Sequence, residues 1–479
     1  MDFPGFCGYS YTSQSMLADA EQCINWYPEQ IESDAGKTRI ALYPTPGLRQ
    51  FIGNPGRTST RALYTLDGRT LAVIGDSLYD ISAGPTITYR GYVGQDSSLA
   101  QIVMNGDAGK QALIGSALNG FCLNLTTNAL TQVTTQKSYQ VGMLDGFFIS
   151  FDSLLGRMWL SNNADGTTWD PTQFAQRSAA ADRWRAMIVV PPDIWLIGSV
   201  TGDIWFDAGA YPFPFAPRQG LNFKYGIAAP MSLAAIGPTV IWLAQAIEGQ
   251  GIVVRTVGYE PQRVSTYAVE TAIAGYARQS TIANAEAMTY VDQGHPFYCL
   301  RFPTPERTWV YDLTMNTWHE RGYWNPARNQ YEVWRPRCHT FALDRHLVGD
   351  TQTGIIQEMD ISIGTELDGS AIRRLRRTPG VFTQMRQIPI RLIEIYLENG
   401  LGLQSGQGSD PLVMWRSSDD GGRTWGNERQ GSAGRVGKYR TRLRFWRHGV
   451  PRDRVNELTA TDPIPWRIIG AYVNNDAGQ

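Results

Sequence analysis

Trp309-Val310-Tyr311-Asp312-Leu313-Thr314-Met315-Asn316-Thr317-Trp318 reads as two strands about a tight turn. Aromatic and β-branched residues fill the first run, where a pleated, half-buried surface suits them. Asp312 and Asn316 bracket the turn, and their short side chains are placed to hold it through local backbone hydrogen bonds. Trp318 combines a large apolar surface with one N–H, so the pattern predicts that it packs against a neighbouring unit. Weaker echoes recur between about residues 57 and 364. There, strand-length apolar runs such as Thr70-Leu71-Ala72-Val73-Ile74 and Asp193-Ile194-Trp195-Leu196-Ile197 alternate with Gly, Asp, Asn and Pro. Several precede a second strand ending in an aromatic, as Ile74 precedes Leu78-Tyr79 and Ile197 precedes Ile204-Trp205-Phe206.

The decapeptide resembles the strand-turn-strand element of kelch-type propeller blades. A propeller repeats four-stranded units radially and leaves few strand edges exposed. The expected fold is therefore all-β: a β-propeller over 57–370, followed by a small C-terminal β-sandwich or barrel over 388–479. A series of β-sandwiches gives the same spacing, and the resemblance favours the propeller. A chain of 479 residues exceeds the size at which one core keeps growing, which agrees with two domains. Residues 371–387, dense in arginine about Pro379-Gly380, read as a linker, and the later strands are expected over 389–397, 412–417, 439–446 and 466–473.

The composition, with 42% hydrophobic residues, 49 Gly and 26 Pro, is globular and turn-rich. A net charge of −1 conceals an asymmetry: residues 371–454 hold seventeen basic and seven acidic residues, leaving an acidic excess of eleven on the remainder. Such a split steers the basic part toward nucleic acid or toward an acidic patch on another subunit. Only five of the 43 basic residues are Lys, and Arg is the better partner for ordered carboxylates or phosphates, although a genomic bias gives the same count. Cys7, Cys23, Cys122, Cys299 and Cys338 are odd in number and scattered, which fits free thiols in a reducing cytoplasm. The N-terminal residues lack the pattern of a signal peptide, and Pro191-Pro192-Asp193 and Gly237-Pro238 interrupt the most apolar windows, so a soluble protein without a membrane span is expected.

Few motifs point to chemistry. Ser418, Asp420, Gly422, Thr424 and Trp425 fit the Asp-box pattern, a hairpin tied by Asp and Ser/Thr oxygens with the Trp expected to plug it into the core. A degenerate copy ends at Thr168-Trp169, with Ala164 where the box Asp belongs. Asp boxes in sialidases and related propellers sit away from the active site, and no local motif here assembles the carboxylates and arginines that sialic acid hydrolysis needs. His295 with Cys299, and Cys338 beside His339, lack a second pair at metal-finger spacing. There is no Walker A, G-x-S-x-G or H-E-x-x-H sequence, so neither catalysis, a cofactor nor a metal is expected.

The stretch Asn25-Trp26-Tyr27-Pro28-Glu29, followed by Tyr43-Pro44-Thr45-Pro46-Gly47, is extended, then sharply turned, with aromatics free to anchor it on another surface. It reads either as an intersubunit docking arm, within 1–56, or as a loop tied down by its own aromatics. This stretch resembles the opening of the packaged-DNA stabilisation proteins of short-tailed phages, the tail hub family. Arg61-Ala62-Leu63-Tyr64, Gly156-Arg157-Met158-Trp159, Thr308 to Asp312, and Ser417 to Gly421 continue the likeness along the chain. The resemblance implies a structural virion protein of the tail, a head-tail connector assembled in the host cytoplasm as a homohexamer under the portal adaptor. It also implies retention of packaged DNA until genome ejection, contacts with a tail needle or plug and with tailspikes or tail fibres, and DNA passing through the ring. A carbohydrate-binding or carbohydrate-cleaving propeller used in host attachment is the alternative, and a bacterial surface propeller a third.

Arg373-Arg374-Leu375-Arg376-Arg377 and the run from Arg440 to Arg447 form the candidate basic interface. Period-two alternation places Arg440, Arg442 and Arg444 on one strand face and Leu443 and Phe445 on the other. That face suits solvent, an acidic protein partner or DNA. Removing residues 1–48 is expected to abolish incorporation into particles while leaving the propeller folded.

Overall fold

The computed structural model describes residues 2–32, 39–82, 84–177, 182–245, 251–382, 384 and 386–474. Four sets of four antiparallel strands, each strand paired with the next in sequence, lie over 60–92, 101–137, 140–176 and 184–223. A fifth, over 226–263, has its innermost strand split into Gly226–Ile227 and Ala234–Ile236. The sixth runs Glu286–Asp292, His295–Phe302, Arg307–Asp312 and Thr317–Asn325. The seventh takes Pro336–Ala342, Arg345–Asp350 and Ile356–Asp360, and completes itself with Gly47–Ile52. Innermost strands neighbour one another in a closed circle, the first blade touching both the second and the seventh. Among the described residues this is a seven-bladed β-propeller.

Second strands of the blades are buried on both faces. Leu71, Ala72, Val73 and Ile74 are fully covered, as are Ile194, Leu196 and Ile197, which is why these stretches read as continuous apolar runs. The turn of the sixth blade forms largely as its residues predict. Asp312 accepts from the Thr314 and Met315 amides at 2.9 and 3.1 Å, and Trp318 donates to the Val264 carbonyl at 2.9 Å, just beyond the fifth blade. Asn316 differs: at φ +52° it accepts the Tyr311 hydroxyl instead of a backbone amide.

A β-sandwich stands beside the sixth blade. One sheet runs in the order Trp26–Gln30, Ile40–Pro44, Ile468–Asn474, Ile390–Leu397, Leu443–Gly449. The other continues outward from the blade strand Thr317–Asn325, through Ala20–Ile24, Arg374–Arg377, Asp453–Ala460 and Leu412–Ser418 to Arg429–Ser432. Trp26, Trp415, Phe445 and Trp466 fill the space between them.

This arrangement corrects the expected boundaries. The segment assigned to an N-terminal arm supplies strands to both sandwich sheets, and Gly47–Ile52 closes the propeller. The segment read as a linker supplies Arg374–Arg377, paired on both sides. Sequence reading also passed over the strand Asp453–Ala460 and the helix Tyr267–Gln279, capped by Thr266 and buried through Val269 and Ile273.

Candidate interaction surface

Because both sheets recruit the N-terminal segment, its distinctive residues face inward. Asn25, at φ +60°, donates to the carbonyls of Gly322 at 2.9 Å and Arg373 at 2.8 Å and accepts from the Gly322 amide. Trp26 is fully buried and donates to the Trp466 carbonyl at 3.0 Å. Tyr27 packs edge-on against Phe297 of the sixth blade, with ring centroids 5.5 Å apart. Pro28, Pro44, Pro46 and Gly47 are buried and Tyr43 half-buried. The surface these residues anchor is the chain's own. A Cβ on Gly47 would stand 2.2 Å from the Ile363 carbonyl oxygen, so glycine is required there by space alone.

The first arginine cluster is interior as well. Arg376 is fully buried and donates to the carbonyls of Gly5 and Phe6 at 2.7 Å, Tyr9 at 3.0 Å and Gln22 at 3.3 Å, and to the Glu21 carboxylate at 2.5 Å. Arg374 is buried near Glu366; burial brings the guanidinium down to about 10 and the carboxyl up to about 7. Arg377 and Arg416 flank Glu457 in register across three strands, at 2.8 and 2.7 Å. Arg373 lies 4.1 Å over the Trp324 ring.

The second cluster is at the surface. Leu443 and Phe445 point into the core, while Arg442 and Arg444 point outward, both held by Glu394 at 2.5 and 3.2 Å. Arg440 lies in the turn before the strand. With Tyr439 at 71% and Trp446 at 48% exposure, these residues make an aromatic and basic face on the edge of the sandwich.

The Asp box closes as a turn. Asp420 accepts from the Thr424 amide at 2.9 Å and hydroxyl at 2.6 Å, and Ser418 accepts from the Gly422 amide at 2.8 Å. The Thr424 and Ser418 hydrogen bonds hold the Asp420 carboxyl well below the usual range. Trp425 does not plug the core: it is half-buried between the guanidiniums of Arg377 and Arg416, at 5.0 and 4.6 Å. In the degenerate copy Asp165, next to Ala164, takes the tying role, accepting from the Thr167 and Thr168 hydroxyls at 2.6 Å.

His295 bridges Glu29 of the sandwich and Asp312 of the blade at 2.6 and 2.7 Å, and the hydrogen bond to Asp312 does most to raise its pKa. His339 meets His346 at 3.0 Å, and burial brings its pKa down to about 3. The innermost strands line a solvent-open central cavity of about 490 Å³, bordered by Leu63, Val141, Ile188, Leu233, Met288 and Arg337 among others. No helix among the described residues is long and apolar enough to cross a membrane.

Sequence reasoning missed both the bridge and the buried guanidiniums, whose partners are up to several hundred residues away in sequence. The one available signal was the abundance of Arg over Lys.

Residues 21–364 match the family described as bacteriophage P22 Gp10, beta-propeller, and residues 373–475 match bacteriophage P22 Gp10, beta-sandwich. Among curated proteins none matches. Similar solved structures include the N-terminal domain of Nup159, at 8% identity and TM-score 0.40, covering 69% of this chain and 98% of that one. Virginiamycin B lyase from Staphylococcus aureus shows 9% and 0.44, covering 66% and 99%. The WD40 repeats of RRP9 give 10% and 0.40, covering 66% and 99%. Overlaps this loose carry no functional information.

Proposed function

Since the chain belongs to the bacteriophage P22 Gp10 family and is a phage structural protein, we propose that it is a tail hub that closes the filled head and has no enzymatic activity. The supporting observation is that both family regions are matched in order, over 21–364 and 373–475, and together span nearly the whole chain. In this reading six copies form a ring beneath the portal adaptor, retain packaged DNA until ejection, and meet the tail needle and the tailspikes.

The geometry supports such a role in two ways. The sheet shared by the sixth blade and the sandwich joins the two parts by main-chain hydrogen bonds instead of a tether, as suits a part that transmits load between neighbours. The central cavity is of small-molecule size, too small for a DNA duplex, so in this reading DNA passes between subunits and not through a propeller. The outward face around Arg442, Arg444 and Trp446 is the candidate contact with a neighbouring subunit or the adaptor, since Arg and aromatics are enriched at interfaces.

The test is sedimentation of the purified protein, alone and mixed with DNA-filled particles that lack it, scoring genome retention. Ring formation, or particle binding with restored retention, is expected. A monomer that neither binds nor rescues, but binds host surface polysaccharide, would overturn the hub in favour of glycan attachment.

A further inference from the structure

Where the sixth blade meets the sandwich, the shared sheet borders a recess of about 320 Å³. Its walls come from Thr317–Asn325, Gln330–Val333, Ala20–Ile24 and Arg374–Arg377, with Arg307, Arg416 and Glu457 reaching in from neighbouring strands. It lies within one chain and away from both the central cavity and the exposed basic face.

The recess is unequally charged. Glu457 is already shared by Arg377 and Arg416, and Glu332 is held by Arg328 at 2.9 Å. Glu320 accepts the Ser10 hydroxyl at 3.1 Å; burial raises its pKa, and the charges of Arg307 and Arg377 act against that rise. Arg307 spends one nitrogen on the backbone carbonyls of Glu306 and Tyr331, at 3.0 and 2.8 Å. Arg373 lies over Trp324 with its Nε buried and without a hydrogen-bond partner. Among the described residues neither Arg307 nor Arg373 forms an ion pair with a carboxylate. Two half-buried guanidiniums therefore line one recess with N–H donors that no carboxylate of the chain takes up, and a carboxylate entering the recess would complete them.

We propose that this recess binds the carboxylate of an acidic peptide segment presented by a protein partner. The guanidinium forks of Arg307 and Arg373 would grip the carboxylate, while Trp324 and Tyr331 hold the adjoining chain. A nucleic acid backbone fits less well. Its repeated phosphates would approach Glu320, Glu332 and Glu457 on the same walls, whereas one side-chain carboxylate occupies only the positive corner. The proposal is independent of the hub reading, because its probe is a peptide in solution and its failure leaves the particle experiment unaffected.

The test titrates a rhodamine-labelled, amide-capped Gly-Ser-Glu-Ser-Gly peptide, which carries one side-chain carboxylate, with the full-length protein at low salt, read by anisotropy. Saturable binding is expected, displaced by the unlabelled peptide but not by its Glu→Gln counterpart, by equal inorganic phosphate or by a six-residue oligothymidylate. Arg307→Gln and Arg373→Gln should each weaken it about tenfold, the loss of one charge-assisted hydrogen bond. Arg345→Gln, which loosens a surface pair with Glu358 on the seventh blade away from the recess, should leave it unchanged. Should a Gln variant lose its fold, Arg307→Lys and Arg373→Lys keep the charge without the fork and should weaken binding severalfold. Absence of saturable binding, equal displacement by phosphate or oligothymidylate, or a loss with Arg345→Gln in place of the recess variants would each overturn the proposal.

Discussion

Replacing Arg376 with Met removes the group that ties the first residues of the chain to the sandwich while keeping an apolar stem of similar reach. Five hydrogen bonds vanish, four of them to main-chain carbonyls and one to Glu21, whose side chain is only 14% exposed. A buried acceptor left without a donor costs ~1–3 kcal/mol. The sum overstates the effect, since the freed segment swings toward water once its anchor is gone. Breaking a buried ion pair from one side costs about 3–5 kcal/mol, and that range is the expected loss. At about 1.4 kcal/mol per decade, amide exchange in the strand Ala20–Ile24 should accelerate by about two to three and a half orders of magnitude. Hydrogen exchange with peptide-level mass readout separates this local release from general destabilisation, because peptides from the first four blades should keep wild-type rates. Arg442→Met, which breaks the exposed pair with Glu394, is the control and should leave the strand unchanged. Wild-type exchange in Ala20–Ile24 of the Arg376→Met protein would refute the role assigned to this clamp.

Trp26→Ala empties a fully buried site and leaves the Trp466 carbonyl without its donor, so chemical denaturation should show about 3–5 kcal/mol lost from the sandwich transition. Gly47→Ala drives a methyl into the Ile363 carbonyl at 2.2 Å, so the closing strand should detach, read as new protease cleavage near residues 47–52. His295 has a folded-state pKa above its unfolded value of about 6.5, so its contribution is complete below that pH and is lost as pH rises through the folded value. His339 and His448, held down to about 3 and 4, act in the opposite sense and lose stability as pH falls. The difference in unfolding midpoint between wild type and His295→Gln should therefore shrink from pH 6 to pH 9, and a difference constant with pH would contradict the bridge. Asp312→Ala removes the acceptor for two turn amides and for His295, and should cost about 1–3 kcal/mol by thermal or chemical unfolding.

The propeller was legible because its signals are local. Runs such as Thr70–Ile74 and the Asp312 turn carry their own reasons within a few residues, and the ring repeats them. What the sequence concealed depends on groups far apart along it. The strand Asp453–Ala460 looks polar, but Glu457 is neutralised by Arg377 and Arg416, and Asn456 accepts the Ser417 hydroxyl at 2.8 Å, so the segment is buried once its partners arrive. The segment around Trp26 looked like an arm because proline and aromatics advertise an anchor without saying to what. Truncation of residues 1–48 consequently cannot isolate docking, since it strips strands from both sandwich sheets and clips the closing strand of the propeller. The candidate surface was partly readable: alternation about Leu443 and Phe445 turned Arg442 and Arg444 outward, but the same composition in Arg374 and Arg376 went inside. Residue type alone does not separate a surface arginine from a buried clamp.

Trp26 leaves the ribosome 440 residues before the carbonyl it must meet, and Gly47–Ile52 emerges some three hundred before the strand it must join. During synthesis the early segment therefore waits, with its aromatics uncovered, for companions not yet made, a situation that slows folding and invites aggregation. A chain that stops before Ile356–Asp360 has no closed ring, and one that stops before Ile468–Asn474 has no finished sandwich. A ribosome that stops short of those strands thus leaves the earliest segment without the partners that cover it.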